Sequence, residues 1–230
     1  MRSSFLLVAS LFGLSGCFGL QTNVSSETGP SDTGGPAAAA DEQDAPPTDV
    51  ELAGKLYVVA PSDLTLVEPA GLDALFHEAL KQNVFVYVAD ESAGALTLQL
   101  ALAASDGSQN PCETVRTLPD ASWQNPDFSV GSGELEVSFA GHPATLRQIA
   151  ISGTFDEYAF NWRDGTLSAQ LDARELTDAL GGEDACELVE NVGGACEACE
   201  DGEVQCITLR FEDVIGAQSN VDFDPTPTCN

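Results

Sequence analysis

Positive charge is scarce in this chain. Eight lysines and arginines stand against 37 aspartates and glutamates, a formal charge of −29 at neutral pH. Lysine occurs only at Lys55 and Lys81. Such a surface has little to pair with phosphate and its net field repels it, which excludes nucleic acid as a partner and disfavours anionic headgroups. Histidine occurs only at His77 and His142. No Gly-x-Ser-x-Gly elbow, His-Glu-x-x-His, Walker loop or dinucleotide fingerprint is present, so the spacings behind the common hydrolase, metallopeptidase and nucleotide chemistries are missing. No apolar run reaches the roughly twenty residues of a membrane-spanning helix. Acidic residues occur throughout, and for that reason they single out no catalytic pair: a glycosidase needs two carboxylates at a set separation in a cleft. A carboxylate-based hydrolase therefore stands only as an alternative.

The N-terminus is the most specific segment. Arg2 precedes an apolar core over residues 5–14, the length of a signal-peptide core, which ends in Leu14-Ser15-Gly16-Cys17. This motif resembles the lipobox of bacterial lipoproteins. The resemblance implies a signal peptide over residues 1–16, cleavage before Cys17, a lipid on the Cys17 thiol and an acyl group such as palmitate on the new N-terminus. One acyl chain binds a membrane reversibly, whereas two or more anchor it. Phe18 in place of Asp implies the outer membrane. The expected localisation is the cell envelope, lipid-anchored, facing the periplasm or the outside. Cleavage deletes Arg2 and no acid, leaving 7 bases against 37 acids, a mature charge of −30.

Residues 17–50 read as the lipidated cysteine and a disordered acidic linker. They carry Gly29-Pro30, Gly34-Gly35-Pro36, four consecutive alanines at 37–40 and Pro46-Pro47, and residues 18–50 hold six acids and no base. Such a stretch buries too little apolar surface to offset its ordering entropy. As a flexible chain it spans roughly 30 Å. Residues 51–230 suit one β-rich domain with a cysteine-rich C-terminal part.

Within that domain a strand is expected over residues 56–60. A helix over 69–82 follows, with Leu72, Leu75, Phe76, Ala79 and Leu80 as its apolar stripe and Asp73, His77 and Lys81 opposite. The period then changes to two. Residues 84–88, 96–102, 135–139 and 145–155 alternate as half-buried strands. Turns are expected at 90–94 and 141–143, and Gly131-Ser132-Gly133 reads as a flexible turn. Asp164-Gly165 reads as a hairpin dipeptide joining strands at 158–162 and 166–171. Short helices are expected at 174–180 and 184–192, each ended by paired glycines, then a strand at 205–212 and a polar tail. The fold class is mainly β with minor α: an antiparallel sandwich or partial barrel, covered by one amphipathic helix, with a disulfide-stapled C-terminal segment.

Apart from Cys17, six cysteines remain: Cys112, Cys186, Cys196, Cys199, Cys206 and Cys229. An even number behind an export signal reads as three disulfides. Six cysteines permit fifteen full pairings, among which sequence does not choose; four cluster locally, which leaves Cys112 and Cys229 to close a long loop. Cys196-Glu197-Ala198-Cys199 also matches a redox pair or half a zinc site, but the flanking Glu197, Glu200 and Asp201 disfavour a thiolate. The segment 181–209, preceded by Leu171-Asp172-Ala173-Arg174, resembles the cysteine-stapled C-terminal part of uncharacterised surface lipoproteins from gliding, predatory-type bacteria. That likeness implies a surface lipoprotein and no activity.

Two further features bear on ligands. Glu183, Asp184, Glu187, Glu190, Glu197, Glu200, Asp201 and Glu203 form a base-free acidic stretch without EF-hand spacing. It reads first as a solvated face and secondly as a weak calcium site. Phe155, Tyr158, Phe160 and Trp162 read first as packing residues and secondly as a pocket lining. Neither histidine, nor any other residue, is assigned a catalytic, cofactor or metal role. The expected function is a membrane-anchored, non-enzymatic envelope or surface lipoprotein that binds or contacts a protein or small molecule. A ligand-binding, lipocalin-like barrel is the alternative.

Overall fold

The period-two alternation becomes, in the computed structural model, eleven antiparallel strands across the residues it describes, 47–229. Cys17, the signal segment and nearly all of the linker lie outside those residues. The first elements are β1 (Leu56–Val59), β2 (Thr65–Glu68), the helix α1 (Asp73–Ala79), β3 (Val84–Ser92) and β4 (Ala95–Leu102). β5 (Arg116–Thr117), β6 (Ala121–Gln124), β7 (Asp127–Phe139), β8 (His142–Phe155) and β9 (Asn161–Asp172) follow. A 3₁₀ turn at Ala173–Leu176, the helix α2 (Ala185–Asn191), β10 (Glu197–Ala198) and β11 (Val204–Ser219) complete the chain.

Eight of these strands make a ring in chain order. β1, β3, β4, β6, β7, β8, β9 and β11 each pair with the next, and β11 returns to β1 from Leu56–Ser219 to Val58–Ala217. Closure removes the unpaired edges that an open sheet would present. The seam between β4 and β6 has only two residue pairs, Ala95–Ser122 and Leu96–Ala121, so the barrel is partial there. β5 adds to β4, and β10 folds back on β11. β2 continues the line of β1 along β11, after a break at the 3₁₀ turn Pro61–Asp63. Proline has no N–H for the ladder, which is why the strand breaks there.

Alternate side chains fill the ring. Val86, Val88, Leu98, Leu100, Ile151 and Leu209 are among the buried residues of the central core. The opposite faces of β1, β3 and β4 bury a second, smaller cluster, with Leu56, Phe85, Ala101 and Ala103 at its centre. Val221 and Phe223 of the tail pack on it, and the Phe223 ring stacks on Tyr87 at 4.5 Å. Cys112–Cys229 ties the end of this tail to the β4–β5 connection. Gln109 Nε2 donates to the Asp224 carbonyl at 2.8 Å and accepts, through Oε1, from Asp224 N at 2.7 Å.

The helical elements cap one end of the barrel. Phe76 of α1 meets Phe139 at 5.5 Å and Phe211 at 6.2 Å. Asp184 caps α2, its Oδ1 accepting from Cys186 N at 2.8 Å. Two more disulfides, Cys186–Cys196 and Cys199–Cys206, staple α2 and β10 to this end.

Several local expectations are corrected. The helix expected over 69–82 is only α1, and Leu75 of its assigned stripe is exposed. Asp164-Gly165 is not a hairpin turn: it is an irregularity inside β9, between the Trp162–Gly216 and Leu167–Phe211 pairs, with Asp164 at φ +53°. A Cβ on Gly165 would lie 2.6 Å from the Val214 carbonyl and 2.8 Å from that of Ser152, so glycine there lets β8 and β11 flank β9 closely. Gly131-Ser132-Gly133 lies within β7, at a register shift opposite β8. The polar tail expected after residue 212 is corrected too: β11 runs on to Ser219, and Val221 and Phe223 beyond it pack on the second apolar cluster. At the N-terminal side, Thr48 is buried, so the folded region takes in the last residues of the stretch assigned to the linker.

Candidate functional site

The barrel interior has two chemically different halves. At the end away from the helices it is aromatic. Tyr57 packs on Phe155 at 5.3 Å and on Trp162 at 5.2 Å, and Phe128 sits 5.1 Å from Phe155 and 5.3 Å from Trp162. Trp123 adds an edge contact to Phe155 at 5.8 Å. Tyr57 Oη donates to the Ala159 carbonyl at 3.0 Å. Burial first, and then the nearby charges of Asp156 and Glu91, push the Tyr57 phenol well above its ordinary pKa. It stays protonated and acts as a donor. This cluster plugs the barrel.

The turn that carries the plug is held by one carboxylate. Asp156 Oδ1 accepts from Phe160 N at 2.9 Å and Tyr158 N at 3.1 Å, and Oδ2 from Asn161 N at 3.0 Å and Asn161 Nδ2 at 3.2 Å. Burial works to raise its pKa, yet the donors of Phe160, Asn161 and Tyr158 outweigh it and hold the carboxyl below the usual range. Thr48 closes on the same turn, donating through Oγ1 to the Asp156 carbonyl at 3.0 Å. A carboxyl with a depressed folded-state pKa contributes stability above its unfolded pKa, near ~4. That contribution disappears as pH falls through the folded value. The melting temperature is therefore expected to drop below about pH 4, and more gently in Asp156→Asn. Thermal melts from neutral to strongly acidic pH check this. Parallel curves for variant and parent would count against Asp156 as the acid-sensitive group.

Between the plug and the helical cap lies an apolar chamber of about 70 Å³. Seven strands line it, among them β1 with Val59, β3 with Val86, β4 with Leu100, β8 with Ile151 and β9 with Leu167. Gln82 is the one polar side chain on its wall among the described residues, and no ionisable side chain lines it. Well-packed interiors hold few voids larger than a water molecule, so a chamber of this size is a feature of the barrel.

The chamber lies beside a break in the wall. Between the pairs Val58–Ala217 and Thr65–Glu212, the β1–β2 side has six residues, 59–64, where β11 has four, 213–216. The surplus bulges out as the 3₁₀ turn, beside the point where the chain leaves α1 to start β3. Pro61 and Leu64 on one side, and Leu80 and Gln82 on the other, are half-buried and line the chamber. Lys81 is exposed between the last two. Sequence reasoning missed this site, although Pro61 at the end of an apolar run marked the interruption.

The residues singled out from sequence fall as follows. Phe155 and Trp162 belong to the plug, whereas Tyr158 and Phe160 are exposed at 58% and 60%, their rings 6.1 Å apart on the turn. The four therefore do not line one pocket. His77 sits half-exposed 3.2 Å from Asp73, one helical turn back, and His142 is exposed at the start of β8. Cys196 and Cys199 are bonded to Cys186 and Cys206, not to each other. Asp172, Cys199 and Cys206 are the one trio of potential metal donors that converges among the described residues, and two of its members are a disulfide with no thiolate to give. Three of the acids of 183–203 serve local structure. Asp184 caps α2, Glu197 accepts from Thr208 Oγ1 at 2.7 Å, and Asp201 accepts from Glu203 N at 3.0 Å and Arg174 Nη2 at 2.8 Å. Arg174 also grips Asp172 through two bonds, Nε to Oδ1 at 2.8 Å and Nη2 to Oδ2 at 2.6 Å, which holds Asp172 below the usual carboxylate pKa. These are exposed or partly exposed ion pairs, worth little each.

Fold and interior together define an antiparallel β barrel, plugged by aromatics at one end, capped by helices at the other, and aliphatic between. No protein-family model, no curated protein and no solved structure matches this chain.

Proposed function

We propose that this chain is an exported, lipid-anchored envelope protein whose folded part works by binding and not by catalysis. The observation that carries the reading is the pairing of all six cysteines of the folded part into three disulfides. Disulfides form and persist in oxidising compartments such as the bacterial periplasm and cell surface. The lipobox-like Leu14-Ser15-Gly16-Cys17 then supplies the anchor, and Phe18, in place of a retaining Asp, favours the outer membrane. The acidic stretch before Thr48 spaces the barrel from the bilayer, and a strongly negative field keeps it clear of nucleic acid and anionic headgroups.

The experiment is metabolic labelling with an alkyne-tagged fatty acid. The wild-type protein is expected to take up label, to begin at Cys17 and to partition into detergent. Cys17→Ser is expected to remain an unlabelled precursor. An unlabelled wild-type protein would overturn the anchoring.

The chamber favours one kind of binding module over others. A barrel that encloses aliphatic side chains beside a break in its wall suits an apolar small molecule, as in the lipocalin-like alternative, better than it suits a polar one.

A further inference from the structure

We infer that the chamber receives the end of a single unbranched alkyl chain, entering between Leu64 and Leu80 and stopping at the aromatic plug. The inference rests on the reading of the barrel as a binding module and assigns the ligand class. Three observations carry it. The first is the lining: apolar residues from seven strands, aliphatic but for Phe211, with Gln82 the single polar group. A polar or charged ligand part would be stripped of water there with no partner, whereas a methylene is stabilised on leaving water.

The second is size. The chamber measures about 70 Å³. An apolar cavity of about 150 Å³ binds benzene. Half that space is too small for a ring and suits the last few carbons of a linear chain. The third is the break in the wall. Where the β1–β2 line bulges at the 3₁₀ turn, the half-buried lining combines the apolar Pro61, Leu64 and Leu80 with the Gln82 amide. Tyr57, Phe155 and Trp162 fill the barrel beyond the chamber, each being 2% exposed or less. A chain therefore enters tail first and leaves its head at Gln82, beside the exposed Lys81. The chain's charge of −29 favours a neutral head over a carboxylate.

The test uses the mature chain, residues 17–230, with Cys17→Ser so that purification needs no detergent. Methyl NMR spectra are recorded while 1-hexanol, hexanoate, benzene or dissolved xenon is added. The expected result is a saturable shift confined to chamber methyls such as those of Val86, Leu100 and Leu167 with 1-hexanol. Hexanoate should need a several-fold higher concentration, and benzene should leave those methyls unshifted. Tighter binding of hexanoate would keep the alkyl class and identify a free acid as the source. Leu167→Phe fills the chamber and should weaken 1-hexanol binding at least tenfold. If that variant does not fold, Val137→Leu, which adds one methylene to the wall, should weaken it several-fold. Benzene shifting the chamber methyls while hexanol does not would overturn the alkyl assignment and keep the apolar binding module. No shift with any probe, xenon included, would overturn both. Unchanged hexanol binding in a folded, filled variant would also overturn the assignment, because the alkyl chain would then sit elsewhere.

Discussion

A chain carrying Cys112→Ser and Cys229→Ser is expected to lose more stability than one lacking either other disulfide. The two cysteines are 117 residues apart, against 10 for Cys186–Cys196 and 7 for Cys199–Cys206. In the chain-entropy model a loop of ~100 residues is worth about 4.7 kcal/mol, and the two short loops about 2 kcal/mol less each. Measured values often fall below the model, so ~3–5 kcal/mol is the range to expect. For a domain of this size that lowers the melting temperature by roughly 10 °C. Release of the tail adds a packing loss, because Val221 and Phe223 would no longer be held over Leu56, Phe85 and Tyr87. The second apolar cluster would then face water, and binding of a hydrophobic dye should rise. Thermal melts of the three double-serine variants, side by side, make the comparison. A Cys112/Cys229 variant that melts with the parent, while the Cys186/Cys196 variant falls, would show that the tail holds on by its contacts alone.

The second large effect is expected at Trp162. It is 1% exposed and packed among Tyr57, Phe128 and Phe155. Trp162→Ala is expected to cost about 3–5 kcal/mol, the usual range for emptying a large aromatic site. The ring lies flat against two neighbouring strands because both carry glycine beside it. A Cβ on Gly216 would come within 2.5–2.6 Å of three ring atoms, and one on Gly153 within 2.7 Å of Trp162 Cδ1. Gly216→Ala is therefore expected to cost about 1–3 kcal/mol by overpacking. The two substitutions should be strongly non-additive, since the added methyl has room once the ring is gone. Denaturant unfolding of both single variants and the double variant measures the coupling. Additive losses would mean that Gly216 matters for backbone freedom and not for the ring above it.

The local code was legible where it was strong. Alternation located the cores of β3, β4, β8 and β11, because a half-buried strand shows its two faces at every second residue. Asp184 and the glycines after it located α2 nearly to the residue, because a cap is a contact between near neighbours. The even count of the cysteines and the acidic charge followed from composition, and the separate fate of Cys112 and Cys229 from spacing. The dipeptide Asp164-Gly165 misled for an instructive reason. Its local preference for a left-handed backbone is real, and Asp164 adopts it. Whether such a pair turns the chain or kinks a strand depends on what lies on either side, and here β8 and β11 do.

The sequence by itself therefore determined that this is an acidic, β-rich, disulfide-stapled chain with a lipobox-like start. Each of those properties depends on composition, short-range periodicity or counting. Tertiary structure alone decided that β11 returns to β1, that Cys196 and Cys199 take different partners, that glycines at 153 and 216 make room for Trp162, and that an aliphatic chamber remains between plug and cap. The physical reason is distance along the chain. Residues such as Leu56 and Ser219 meet only when the ring closes, and no local preference records a partner that far away. A void leaves even less trace. It is the space left when side chains from seven strands converge without filling the centre, and its volume belongs to none of them singly.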